Sequence, residues 1–161
     1  MKTLEPITEV DFQTEKFLVA EIVTTYNRRK QKTSIKVTTS NDCHRLVKRL
    51  FKDDEIEHRE RMYAVYLSRR NEVLGWQLQG LGGVSGTACD LKVVFQTGLL
   101  CNTSAIILAH NHPSGNLKPS QSDIDITRKA KDFGRFIEMQ ILDHLIVTLE
   151  GYYSFSDDGM I

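Results

Sequence analysis

The stretch His110-Asn111-His112, followed by Ser120 and Asp123, sets two imidazoles, a hydroxyl and a carboxylate at fixed offsets directly after an apolar run. These are the functional groups of a catalytic zinc site. The run Ser104 to Ala109, with Ile106, Ile107 and Leu108 at its centre, reads as a short buried strand, so His110 and His112 fall at its carboxyl end. Residues two apart on an extended chain share a face. Both ring nitrogens can therefore approach one ion at roughly 2.0–2.1 Å while Asp123 adds an oxygen from the next element. Three protein ligands leave a fourth position for water. Ser120 and Asp123 also fit a purely local role, because a serine followed three residues later by an acid opens many helices as a cap. The two readings are compatible, since a capped helix start is a rigid platform for Asp123. Each pair alone is a common pattern; joined as His-x-His, seven residues, Ser, two residues, Asp, the set is specific.

That combined pattern resembles the JAMM (MPN-plus) metalloprotease motif, and the wording Ile107-Leu108-Ala109-His110-Asn111-His112-Pro113-Ser114-Gly115 is similar to the RadC branch of that family. The resemblance covers roughly residues 58–161. It takes in Arg59-Glu60 ahead of the strand Met62 to Leu67, the unit Asp90 to Ala109, Pro119 to Asp123, Asp143-His144-Leu145-Ile146-Val147, and Tyr153-Ser154-Phe155-Ser156. It implies an α/β fold of the JAB/MPN (cytidine-deaminase-like) type, a mixed sheet flanked by helices. It further implies that His110, His112 and Asp123 are zinc ligands, that Glu60 is the acid/base residue acting on the water at zinc, and that Ser120 steadies the oxyanion. Glu55, Glu57 and Glu72 are near enough in sequence to compete with Glu60 for its role. The activity implied is zinc-dependent hydrolysis of an amide or isopeptide bond in a protein or peptide. RadC proteins are nominally linked to DNA repair and commonly carry a helix-hairpin-helix segment before the metal domain. Residues 1–57 here read instead as a hairpin plus one helix, packed on the same domain as residues 58–161.

Composition agrees with an enzyme-sized unit. A chain of 161 residues can remove roughly two thirds of its unfolded surface from water. Lys plus Arg and Asp plus Glu number 21 each, so no global basic field draws the protein to nucleic acid or to an anionic membrane. DNA contact, if any, must be local. The basic tract Arg28-Arg29-Lys30-Gln31-Lys32 is short for phosphate binding and reads as a solvated turn. Three cysteines, Cys43, Cys89 and Cys101, form no C-x-x-C pair and suit reduced packing residues in a cytoplasmic protein. Neither a leader peptide nor an apolar run of about 18 residues is visible, so no membrane partner is expected.

The elements that must position the site follow from patterning. Phe17 to Thr25 and Ser34 to Thr39 suggest a hairpin around a charged tip, and Asn41 to Lys52 a helix capped by Ser40. Met62 to Leu67 and Glu72 to Leu81 suggest a second strand pair, followed by a glycine-rich loop without the Lys-Ser/Thr ending of a phosphate cradle. A short helix over Asp90 to Leu100, the strand to Ala109, a long helix over Ser120 to Glu138, and closing strands Ile141 to Leu149 and Tyr152 to Phe155 complete a mixed α/β order. The strand-rich N-terminus offers an edge for a homodimer.

Of the remaining histidines, His144 reads as a residue that supports a ligand or the packing, and His44 and His58 as surface residues. His110-Asn111-His112 is not an HNH nuclease signature, which describes dispersed residues. Two other functions remain open: a zinc-binding accessory protein without turnover in DNA-associated complexes, and a metal-dependent nuclease.

Overall fold

Every residue from Ala105 to Asn111 is buried in the computed structural model, as expected of a strand covered on both faces. The structure describes residues 9–12, 15–18, 34–51, 56–82 and 89–161. In chain order the elements are β1 (Glu9–Phe12), β2 (Glu15–Leu18), α1 (Ser40–Val47), β3 (Arg61–Leu67), β4 (Val73–Leu81), α2 (Leu91–Leu100), β5 (Ala105–Asn111), α3 (Gln121–Phe136), β6 (Gln140–Val147) and β7 (Tyr152–Ser154). The fold is mixed α/β. Five strands form one sheet in the order β4-β3-β5-β6-β7, with β5 central: it runs antiparallel to β3 and parallel to β6, and α3 makes the crossover between β5 and β6.

The side chains of β5 alternate between two cores. Ala105, Ile107 and Ala109 join Val65, Leu145 and the helix α1 residues Cys43 and Val47 on one face. Ile106 and Leu108 join Ala64, Tyr66, Val94, Phe95 and Ala130 on the other, under α2 and α3. The period of two therefore carries His110 to the α2/α3 face and Asn111 to the opposite one.

Helix α3 presents Asp123, Thr127, Ala130 and Gly134 inward, a spacing of four, three and four that keeps one stripe against the sheet. Its return into β6 is tight. A Cβ at Gly134 would collide with the Met139 carbonyl, and Met139 N donates to Gly134 O at 2.8 Å.

The sequence reading needs three corrections. The hairpin lies earlier than expected: Phe17 and Leu18 pair with Val10 and Glu9, while Ser34 to Thr39 makes a single bridge, Lys36 with Glu72, instead of a strand. The expected charged tip and residues 19–25 lie outside the described residues, as do residues 83–88 of the glycine-rich loop. Helix α1 is capped by Thr39, not Ser40, because Asp42 completes a box with Thr39, accepting from its backbone N–H at 3.0 Å. It also ends at Val47, several residues early. Finally, His44 is half-buried and stacked on Tyr152 at 4.3 Å rather than lying at the surface. Among the described residues no helix is long and apolar enough to cross a membrane.

Candidate metal centre

The carboxyl end of β5 meets the amino end of α3, the place where open α/β sheets bind ligands. His110 is the buried penultimate residue of β5, His112 follows on the same face just past the strand's end, and Asp123 stands in the first turn of α3. One donor atom from each of the three lies within 4.8 Å of the others. His110 Nε2 is 3.0 Å from His112 Nε2 and 3.2 Å from Asp123 Oδ1, and His112 Nε2 is 3.5 Å from Asp123 Oδ2. Ligands about 2.0–2.1 Å from a tetrahedral ion stand about 3.3 Å apart along the tetrahedron's edges. The triangle of donors therefore has the size of one metal ion's coordination face.

The hydrogen bonds behind the rings decide which nitrogens are free. His112 Nδ1 faces the Asn116 carbonyl at 2.6 Å, and since a carbonyl only accepts, Nδ1 carries the proton and Nε2 the lone pair. His110 Nδ1 is held 2.9 Å from His144 Nε2, which leaves His110 Nε2 for the shared point. Two nitrogen lone pairs aimed at one another at 3.0 Å beside a carboxylate repel unless a cation or a shared proton lies among them. The donor set thus fits a metal ion; two imidazoles and one carboxylate suit zinc among the common divalent metals.

Asp123 is held ready as an anion. Burial alone would raise its carboxyl, but in the metal-free site, where a proton on the facing nitrogens of His110 or His112 stands in for a cation, hydrogen bonds from those rings, the charge of His110 and the Ser120 hydroxyl outweigh that and hold it well below the usual carboxylate range. Ser120 caps α3, accepting from Asp123 N at 3.2 Å, while its backbone N–H and its hydroxyl both donate to Asp123 Oδ2, at 2.7 and 2.6 Å. The hydroxyl's only proton is directed at Asp123, so contact with a substrate oxyanion requires the hydroxyl to turn away from it. His112 is raised above the usual imidazole value, first by its hydrogen bond to Asp123 and against the effect of burial.

Glu60, His110 and Asp123 line a cavity of about 210 Å³, with Met62, Cys89 and Ile126 forming apolar parts of its wall. Glu57 is exposed and does not line this cavity, Glu72 sits at the β3–β4 turn, and Glu55 lies outside the described residues. What holds Glu60 is a residue that the sequence reading passed over. Asn111, on the opposite face of β5 from the histidines, accepts from Arg61 N at 2.8 Å and donates to the Ile56 and Arg59 carbonyls at 2.6 and 3.0 Å. All three bonds fasten the segment that carries Glu60 to the strand that carries the ligands. Gly82 N, donating to Glu60 O at 2.8 Å, fixes the other side. The available signal was a lone amide in an otherwise apolar strand face.

His144 is fully buried on β6 and stacks on Phe155 at 4.9 Å. His58 is exposed. The three cysteines are free, and burial pushes the Cys43 thiol up to about 12.

Comparison with known proteins gives a consistent picture. The family described as a RadC-like JAB domain matches residues 37–160. A UPF0758 protein of Flavobacterium johnsoniae is 40% identical over 125 residues, covering 78% of this chain and 53% of the relative. UPF0758 proteins of Haemophilus influenzae and Porphyromonas gingivalis are 36% and 35% identical over 115 and 103 residues, covering 70% and 63% of this chain and 52% and 45% of their own lengths. The chain spans about half the length of the curated relatives it matches.

Proposed function

The chain belongs to the RadC-like JAB domain family, and from that premise we propose that it is a zinc-dependent hydrolase of amide or isopeptide bonds in proteins or peptides. The observation that carries this reading is the convergence of two proton-free imidazole nitrogens on an ionised carboxylate beside a cavity that also receives Glu60.

His110, His112 and Asp123 would hold the metal. Zinc bound there supplies a water acidified toward neutral pH and a Lewis acid for the scissile carbonyl. Glu60, tethered through the Asn111 bonds, takes the proton of the attacking water and returns it to the leaving amine nitrogen, as a general base and then a general acid. The Ser120 hydroxyl, once turned from Asp123, donates to the developing oxyanion. The cavity's apolar wall keeps bulk water from competing for these groups. The even charge balance supports a protein substrate over a nucleic acid, whose phosphates would call for a cationic surface.

The reading is tested by loading the protein with zinc and offering peptide and isopeptide-linked substrates. Cleavage that is lost in Glu60→Gln, with zinc still bound, supports it. Equal activity of Glu60→Gln and the native protein on every substrate removes the mechanism, and metal-dependent cleavage of DNA that disappears in His112→Ala replaces it with a nuclease.

A further inference from the structure

Beneath the metal centre, and away from its cavity, a chain of hydrogen bonds crosses from β5 through β6 to α3. Thr127 is four residues after Asp123 and shares its buried stripe. Its hydroxyl donates to the Asp123 carbonyl at 2.5 Å, and this contact can only be a bond in which the threonine supplies the proton. The hydroxyl has no second proton. Its 2.6 Å contact with His144 Nδ1 must therefore run the other way, with the ring nitrogen donating. His144 is then neutral with its lone pair on Nε2, and that nitrogen accepts from His110 Nδ1 at 2.9 Å. His110 in turn is left with its lone pair on Nε2, the atom that faces His112 and Asp123.

We propose that Thr127 and His144 are positioning residues that lock the tautomer and ring orientation of His110, so that the protein presents a metal-ready nitrogen before any metal arrives. The direction of the chain follows from one fact, that the Asp123 carbonyl can only accept. The same α3 segment thus sets the metal site twice, through the Asp123 carboxylate directly and through its carbonyl by way of Thr127, His144 and His110. The usual outer partner of a ligating histidine is a carboxylate, a carbonyl or a water. Here it is a neutral imidazole, fully buried and stacked on Phe155, which brings no additional negative charge to the site. Asp123 remains the only anionic ligand of the three.

Reversing the relay shows what it prevents. Without the Thr127 acceptor, His144 is free to carry its proton on Nε2. His110 would then have to accept at Nδ1 and bear its own proton on Nε2, inside the triangle of donors.

The proposal rests on the metal-site reading above, and its test separates the two. On the protein freed of metal by chelation, two-bond 1H–15N correlation spectra should show His144 as the neutral Nδ1–H tautomer; an Nε2–H tautomer overturns the relay whatever the protein binds. Zinc affinity by competition with a chelating dye should fall 10–100-fold in Thr127→Val, the range for loss of an outer partner, and return to near the native value in Thr127→Ser, which keeps the hydroxyl. His144→Gln, whose amide can still donate at one atom and accept at the other, should bind zinc more tightly than His144→Leu. Valine and serine variants that bind zinc equally, differing only in stability, reduce Thr127 to packing and overturn the proposal. Failure of the native protein to bind zinc at all would instead sink the hydrolase reading, while the tautomer spectrum still decides the relay.

Discussion

The two faces of β5 end differently, although they are separated by single residues. On one face the strand delivers Asn111, whose amide makes three bonds to backbone groups at 2.6–3.0 Å and satisfies both its ends. On the other it delivers His110 and His112, whose Nε2 atoms face each other at 3.0 Å with no proton between them in the tautomers set by their other bonds. A satisfied buried amide rigidifies; converging lone pairs create a demand that an added cation answers. The scaffold face and the chemical face are thus distinguished by polar satisfaction rather than by depth, since Asn111 and His110 are buried to the same degree.

The contrast breaks most severely on the chemical face. Asp123→Ala or His112→Ala should weaken zinc binding beyond the roughly 100-fold attached to outer partners, measured by dye competition, because a ligand itself is lost. Glu60→Gln should leave zinc bound and cut turnover by about 10²–10⁴, the contribution of a general acid/base group. The scaffold face fails in another manner. Asn111→Leu removes the partner of one buried donor and two carbonyls, so we expect a loss of about 1–3 kcal/mol in urea denaturation, with turnover reduced as Glu60 shifts and zinc affinity nearly unchanged. An Asn111→Leu protein that loses zinc as completely as Asp123→Ala would erase the distinction between the faces.

Smaller effects sharpen it. His112 must shed its proton to bind a metal, and its proton is held more tightly than in free imidazole, chiefly by Asp123. Zinc affinity should accordingly begin to fall at a pH above the ordinary imidazole value and decline on further acidification by about tenfold per pH unit for one competing proton. Titrations at pH 5 to 8 read this directly, and a flat response over that range would show that His112 is not a ligand. The change least costly to stability is Ser120→Ala, expected to lose about 1 kcal/mol of cap energy in thermal unfolding while lowering turnover more than zinc affinity, since the hydroxyl is proposed as an oxyanion donor and not as a ligand.

Much of this arrangement was legible in the residues. The apolar run before His110 and the period of two placed both imidazoles on one side, and Ser120 three residues before Asp123 marked the start of α3. The N-terminal hairpin was misplaced because Phe17 to Thr25 mixes β-branched with other apolar residues, alternates only in part, and carries no Asn-Gly or Asp-Gly turn signal to pin its register. The cap of α1 could have been read correctly: Thr39, not Ser40, has an acid three residues on. Asn111 and Thr127 were out of reach for a different reason. Their roles depend on contacts to residues 50 to 55 positions earlier and 17 later in the chain, which local spacing does not encode.

The most direct measurement is a zinc titration of the chelator-treated native chain by calorimetry at pH 7.5, with His110→Ala/Asp123→Ala alongside. One zinc per native chain and none in the double variant is the expected result. Stoichiometric zinc in the double variant, or none in the native protein, would contradict the assignment of His110, His112 and Asp123 as the metal centre.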